Sequence, residues 1–493
     1  GYKQNKIKKQ FNFLKKMLTN KKTKIVATLG PACSTRETIK DMIDAGTNVF
    51  RINFSHADYE GVKEKIDIIR GLNDEFGYTT AILGDLQGPK LRVGVMEEGT
   101  FVNDGDTITF TTAEDVIGTA QKVFMKYQNF PNDVNPGERI LLDDGKLIFE
   151  ILTTDKKTEV TAKVIQGGEL KSKKGVNLPN TKISLPALTE KDIADAIFAI
   201  EQKVDWIALS FVKTPRDLQD LQDLIAKHSE YKIPIIAKIE MPEALENMDK
   251  IVAYCDGLMV ARGDLGVELP AHEVPLVQKD LIRRAKTARI PVIVATQMME
   301  TMITSLTPTR AEVNDVANSV MDGADAVMLS GETATGNYPV QVIQKMAQIC
   351  EAVENSPLIQ VPQNTPQIKT KRFVTKTVCH QAALLANEIK AKAICTLTNS
   401  GYTAFQISAW RPSSAHILVF TSNKRILTQL NLLWGVKSYF YDKDESTDDT
   451  ITDVNEMAKQ KGYVEKGDYL INLAAMPIKD KGMVNTMRVS EIE

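Results

Sequence analysis

The stretch KIVATLGPACSTRETIKDMIDAGTNVFRIN, residues 24–53, holds the pattern on which the fold turns. It opens on a short β-branched apolar run, Lys24–Thr28, passes through a helical stretch and returns to a second apolar run, Asn48–Asn53. Ser34 with Glu37 reads as a capping box at the helix start, and Gly46 as the glycine just past its end. Strand, helix and strand within thirty residues is one βαβ unit.

Working outward, the unit recurs. Further apolar runs lie at Thr80–Asp85, Trp206–Phe211, Pro234–Glu240, Gly257–Asp264, Pro291–Gln297 and Ala324–Ser330, eight in all. Parallel strands covered on both faces read as such continuous runs. Thr214-Pro215 and Thr307-Pro308 each set a capping hydroxyl before a first-turn proline. Eight strands alternating with helices predict an α/β protein built on a (β/α)8 TIM barrel. An open, doubly wound sheet is the competing reading, but no G-x-G-x-x-G follows the first strand.

One interval breaks the rhythm. Between Asp85 and about Thr189 lie only short β-rich runs, Thr107–Thr111, Arg139–Leu142, Leu147–Leu152 and Glu159–Ile165, with Asp144-Gly145 as a hairpin signal. This predicts an all-β lid domain inserted after the third strand, at the C-terminal mouth of the barrel. A polar linker from about Pro357 to Gln367 leads to a second alternating region. There a helix is expected near Thr377–Ile389, a strand near Ala393–Thr398, a helix near Thr403–Trp410 and a strand near Ile417–Phe420. The expected segments are a basic arm over 1–22, barrel over 23–88 and 187–357, inserted β-domain over 89–186 and C-terminal α/β domain over 358–493.

With 493 residues, 43% apolar and 25% charged content, the chain reads as an ordinary globular protein of several domains. A net charge of -2 argues against a dedicated nucleic-acid binder. Cys33, Cys255, Cys350, Cys379 and Cys395 are odd in number and form no CxxC, which argues against a disulfide scaffold or a cysteine zinc site and suits a reducing cytoplasm. No apolar run approaches the roughly 20 residues that span a bilayer. The first 22 residues carry eight lysines and no acid, and read as a solvated arm in which Met17 is a candidate initiator.

Catalytic groups of such barrels lie at the C-terminal strand ends. Those ends carry Arg51, Asn53 and Ser55; Asp85; Lys238 and Glu240; Arg262, Gly263 and Asp264; Thr296 and Gln297; Ser330 and Glu332. Lys238 and Glu240 are two apart and share a face of their strand. Buried, they need each other or a ligand. Glu240 and Asp264 on adjacent strands could share a Mg²⁺, which takes one or two carboxylates plus phosphate oxygens and water. Carboxylates flanked by Lys238 and Arg51 suit phosphoryl transfer. Spacing alone does not fix the reaction: an aldolase or lyase using Mg²⁺ on 2-oxo acids would share the same two carboxylates, and singly each residue is more often a rim charge or a cap.

KIVATLGP (24–31), RINFSH (51–56), AKIE (237–240), ARGDLG (261–266), ATQM (295–298) and LSGET (329–333), with KKGVNLP (173–179) in the insertion, resemble the motifs of the pyruvate kinase family, in that family's order. The resemblance runs from about Lys24 to the C-terminus and is weakest in the last domain. It implies the same three-domain architecture and a glycolytic enzyme moving a phosphoryl group from phosphoenolpyruvate to ADP. It assigns Glu240 and Asp264 to Mg²⁺, with Mn²⁺ able to substitute. It assigns Lys238 and Arg51 to the phosphoryl group, and the backbone at Gly263 and Asp264 to the substrate carboxylate. Thr296 would deliver a proton through water, supported by Ser330 and Glu332. Arg51, Asn53, His56, Arg92 and Lys174 would meet the nucleotide. The resemblance also implies a homotetramer, while a cytoplasmic location and the lack of a nucleic-acid or membrane partner are expected from the cysteines, the net charge and the apolar runs described above.

Two features qualify it. Asp85-Leu-Gln-Gly-Pro-Lys90 differs from the Asp-Thr-Lys-Gly-Pro-Glu of members that need K⁺. It is similar to the K⁺-independent members, with Lys90 supplying the missing charge to a pocket of Asn53, Ser55, Asp85 and Leu86. The loop Thr396, Thr398, Asn399, Ser400, Gly401 and Thr403 opens a helix and could receive a phosphate. In the family it is the effector loop, which leaves a phosphorylated allosteric effector open.

Overall fold

The computed structural model describes residues 20–363, 370–477 and 483–493. Eight parallel strands close into a barrel in sequence order: Lys24–Thr28, Val49–Asn53, Ala81–Asp85, Trp206–Leu209, Ile235–Ile239, Gly257–Ala261, Val292–Ala295 and Ala326–Leu329. The last pairs with the first, Lys24 opposite Ala326. Alternate residues explain the closure. Val26, Val49, Leu83, Trp206, Ala208, Ile236, Met259, Ile293 and Met328 fill the interior. Their neighbours Ile25, Phe50, Ile82, Ile207, Ile235 and Leu258 pack under the surrounding helices. Both faces of every strand are therefore dry.

Two expected helix starts move. The helix Arg36–Ala45 is capped by Thr35, whose hydroxyl accepts from Thr38 N at 3.2 Å, and not by Ser34 with Glu37. A 3-10 turn over Pro31–Cys33 takes up the chain as far as Ser34, so the first extended residue is Thr35. The helix Arg310–Asp322 starts two residues beyond Thr307-Pro308, because Thr309 and Glu312 have the reciprocal capping spacing. At Thr214 the helix starts where expected: Pro215 opens it, and Asp217 accepts from Thr214 N at 3.1 Å.

The insertion is a six-stranded sheet with a two-stranded companion and its own core around Phe110, Phe130 and Phe149. Asp143, Asp144 and Gly145, all left-handed, turn the hairpin between Arg139–Leu142 and Leu147–Thr154. Four strands of two or three residues went unseen in the sequence, among them Val176–Asn177, too short to show a period of two.

The C-terminal region is a five-stranded sheet that docks on the N-terminal end of the barrel. Leu432 and Phe405 enter the barrel's inner cluster, and Asn431 donates to the carbonyls of Asn48 and Thr79 at 3.1 and 2.9 Å. Buried Lys24 donates to Asn431 Oδ1 and the Val436 carbonyl at 2.9 and 2.7 Å. This floor also corrects the reading of the basic arm where it can be described. Lys21 is buried and donates to Asn48 Oδ1 at 2.6 Å, and Lys22 donates to the Ser413 carbonyl at 2.7 Å. Residues 1–19, Met17 included, lie outside the described residues. Among the described residues no helix is long and apolar enough to cross a membrane.

Candidate active site

The period of two that fills the barrel continues at its mouth with polar residues. Two positions beyond Val26, Val49, Leu83, Ala208 and Ile236 stand Thr28, Arg51, Asp85, Ser210 and Lys238, with Glu240 two further on. They form one network. Asp85, 1% exposed, accepts Arg51 Nε at 2.6 Å and Lys238 Nζ at 3.0 and 3.3 Å. Arg51 also donates to Thr28 Oγ1 at 3.0 Å, and Lys238 to Ser210 Oγ at 3.0 Å. Lys238 Nζ lies 3.4 Å from Glu240 Oε1, while Phe211 N donates to Glu240 Oε2 at 2.6 Å.

The charges follow from this wiring. Burial alone would push Asp85 up, but Lys238 and Arg51 overcome it and hold the carboxyl below its ordinary range. Burial likewise opposes the Lys238 ammonium, and Asp85 with Glu240 more than restores it. Glu240 fares differently. Burial, with the Asp264 and Asp85 carboxylates adding to it, lifts it to about 7 despite Lys238. A carboxyl short of positive charge beside a second carboxylate is a donor set that a hard divalent cation completes.

Asp264 rides on the short helix Arg262–Glu268, which starts directly from the sixth strand. Gly263 N donates to Thr296 Oγ1 at 2.7 Å. Thr296 and Gln297 are both left-handed, with φ of 72° and 55°, a costly state for a β-branched residue. Arg262 holds them there: it donates to the Ala295 and Thr296 carbonyls at 3.2 and 2.6 Å and is gripped at both terminal nitrogens by Asp315, at 2.6 and 2.8 Å. After the eighth strand, Glu332 accepts from Ser330 N and Met299 N at 2.7 and 3.3 Å, tying two mouth loops together. Ser330 Oγ is buried with no partner among the described residues.

The other expected residues fall in separate places. Asn53 accepts from Ser55 N at 3.1 Å, and the Leu86 carbonyl accepts from Ser210 Oγ at 2.5 Å, so both are engaged within the mouth. His56 is exposed. Lys90 lies in the seam between mouth and insertion, its Cε 3.1 Å from where a side-chain carbon on Gly175 would sit, and the cations paired with Asp85 are the Arg51 guanidinium and the Lys238 ammonium. Arg92 donates to the Lys173 carbonyl at 2.9 Å, and Lys174 pairs with Asp143 at 3.3 Å, all within the insertion. The loop Thr396–Thr403 is in the C-terminal sheet, beside a cavity of about 750 Å³ that Thr398, Asn399, Ser400, Thr403, Arg372 and Lys443 help to line. Thr396 and Gly401 are not in its wall; the Thr396 hydroxyl is bound to that of Thr403 at 2.8 Å.

Sequence reasoning missed Thr28, Ser210 and Asp315. The first two were within reach of the same alternation that found Lys238 and Glu240. Asp315 gave no signal, because its partner is 53 residues away on another element.

Comparison with known proteins agrees along most of the chain. Residues 20–343 match the family model "Pyruvate kinase, barrel domain" and residues 376–490 match "Pyruvate kinase, alpha/beta domain". The chain is 41% identical to a pyruvate kinase of Geobacillus stearothermophilus over 96% of its own length and 80% of that relative's. It is 40% identical to one from Corynebacterium glutamicum over 95% of its length and 97% of the relative's. A crystal structure of a pyruvate kinase from Cryptosporidium parvum superposes with a TM-score of 0.89 at 34% identity, covering 97% of each chain.

Proposed function

Because this chain belongs to the pyruvate kinase family, we propose that its mouth residues divide the labour of one phosphoryl transfer among themselves. The enzyme takes phosphoenolpyruvate and ADP to pyruvate and ATP in glycolysis, and its family uses a divalent metal. The observation that carries the finer reading is the buried Arg51–Asp85–Lys238–Glu240 network at the barrel mouth. Glu240 and Asp264 hold Mg²⁺, or Mn²⁺ in its place. When bound, the ion supplies positive charge to the phosphate oxygens. Lys238, fixed by Asp85 and Ser210, faces the phosphoryl group in flight, and Arg51 flanks it.

The substrate carboxylate lies on the N–H groups of Gly263 and Asp264. On that reading its arrival displaces Thr296 Oγ1 from Gly263 N, so binding the carboxylate frees the hydroxyl that relays a proton to the enolate carbon. Ser330, with its unengaged hydroxyl, and Glu332 complete the relay. Replacing Asp315 with alanine releases Arg262 and lets the left-handed Thr296 relax. We expect kcat to fall about tenfold, the worth of a part-buried charge-assisted hydrogen bond, with KM for phosphoenolpyruvate less affected. Steady-state kinetics check it, and an unchanged kcat refutes the clamp.

Arg51, Asn53, His56, Arg92 and Lys174 meet the nucleotide, the last two from the hinge and the lid. The enzyme works without K⁺, its mouth already furnished with Arg51 and Lys238 around Asp85 and with Lys90 at the seam. It is a cytoplasmic homotetramer, and the cavity beside Thr398 and Ser400 receives a phosphorylated effector. Turnover with phosphoenolpyruvate and ADP, followed by pyruvate formation in tetramethylammonium buffer, tests the set. We expect loss of activity on chelating Mg²⁺ and no more than about a twofold gain on adding KCl. A large KCl requirement sinks the role of Lys90.

A further inference from the structure

The lid meets the barrel mouth through few polar contacts. Among the described residues only one hydrogen bond joins a side chain of the lid to a side chain of the barrel: Asn177 Nδ2 donates to Glu268 Oε1 at 2.8 Å. Both residues are buried. On the lid side, Asn177 is locked into the six-stranded sheet, opposite Leu141, while Val176 sits opposite Leu142. Val93 N donates to the Lys174 carbonyl at 3.1 Å and Val176 N to the Leu91 carbonyl at 2.9 Å. Lys174 and Asn177 therefore move as one rigid strap. On the barrel side, Glu268 is the last residue of the helix Arg262–Glu268, one turn after Asp264 and on the same face. That helix is anchored at its start by the Arg262–Asp315 pair.

We infer that Asn177 and Glu268 form a latch that sets the position of the lid against the helix carrying Asp264, and so places Lys174 for the nucleotide. Both are positioning residues. The inference rests on the reading of Lys174 given above. Glu268 suits a latch because it is poorly satisfied: Oε2 is buried with no partner among the described residues, leaving Asn177 as the one donor. Take that donor away and the closed lid traps a carboxylate with nothing to bond, so the open form, where water reaches it, is favoured. With the donor in place the same shortfall keeps release cheap. The lid can hold and let go within one turnover.

The exchange of donor and acceptor tests this. Asn177→Asp sets two carboxylates against each other and is expected to raise KM for ADP about tenfold or more, leaving KM for phosphoenolpyruvate within about twofold. Glu268→Gln keeps an acceptor and should change little. The double variant Asn177→Asp/Glu268→Gln restores the bond with its direction reversed, and KM for ADP should return to within about threefold of the parent. Asn177→Ser removes the reach without adding charge, and serves should the aspartate variant fail to fold. Lid position is read separately by energy transfer between dyes on Lys157→Cys in the lid and Glu64→Cys on the barrel, both exposed sites, the five natural cysteines being buried. Longer, broader distances in Asn177→Ser or Asn177→Asp, recovered in the double variant, support the latch. Distances that shift while KM for ADP stays fixed keep the latch and remove Lys174 from the nucleotide. Unchanged distances, or a double variant no better than Asn177→Asp, overturn it.

Discussion

Replacing Lys238 with methionine is expected to lower kcat about 10²- to 10³-fold, the scale on which loss of a preorganised charge stabiliser acts. Methionine keeps the volume of the aliphatic stem and removes only the ammonium. That ammonium is held at three points: Asp85 and Ser210 at 3.0 Å, and Glu240 at 3.4 Å. Burial works against its charge, yet Asp85 and Glu240 raise its pKa above the ordinary lysine value, so at neutral pH it is fully charged and immobile. A fixed charge in a dry site acts on the moving phosphoryl group with no reorganisation to overcome. Because this help is given in the transition state, kcat and kcat/KM for phosphoenolpyruvate should fall together. Stability should drop by only about 1–3 kcal/mol, since Asp85 keeps Arg51 as a partner. Single-turnover kinetics and thermal melts separate the two effects. A loss under about tenfold in kcat would sink the assigned role.

The barrel was legible because its strands are covered on both faces. Trp206, Ile207, Ala208 and Leu209 are all buried, and so the sequence shows an unbroken apolar run there. The lid was legible only where its strands exceeded three residues. The edge strand Thr486–Glu491 was invisible for a related reason: one face is solvated and it pairs on one side, so it carries no apolar signature. Helix starts were misplaced where two hydroxyls competed within three residues: Thr309 wins over Thr307 because it has its acid, Glu312, three positions on, whereas Ser34, which has Glu37 at that spacing, loses to Thr35 because a preceding 3-10 turn takes up its backbone. In the site, charge on strand ends pointed to Arg51, Asp85, Lys238, Glu240 and Asp264. It was silent on Thr28 and Ser210, which carry no charge, and on Asn177 and Glu268, whose meeting depends on how the lid sits. Lys22 and Lys21 read as solvated charge and instead lie against the floor of the barrel, a tertiary placement no local pattern records.

Glu240→Gln should weaken binding of Mn²⁺ to the free enzyme about 100-fold or more, since losing even an outer partner of a metal ligand costs 10- to 100-fold. The titration is done without substrates, so a fault in turnover cannot imitate it. The pH dependence of stability gives a second, independent readout. Burial and the carboxylate of Asp264 raise Glu240 in the folded protein from its ordinary value near 4.5 to about 7. The folded state therefore binds more protons than the unfolded one across that window. Stability of the metal-free enzyme must then fall as pH rises from about 4.5 to about 7, and level off above. Glu268, lifted to about 7 mainly by burial, adds to the same slope. A divalent ion binds the ionised form, so the gain in Tm on adding Mg²⁺ should grow across the same window. In the glutamine variant the Phe211 N–H keeps an acceptor in the amide oxygen, while one buried ionisation is gone. The metal-free variant should be at least as stable as the parent at pH ~8, with a shallower slope and little response to Mg²⁺. Parent-like Mn²⁺ affinity, or an unaltered slope, would show that Glu240 neither holds the ion nor bears the strain of its absence.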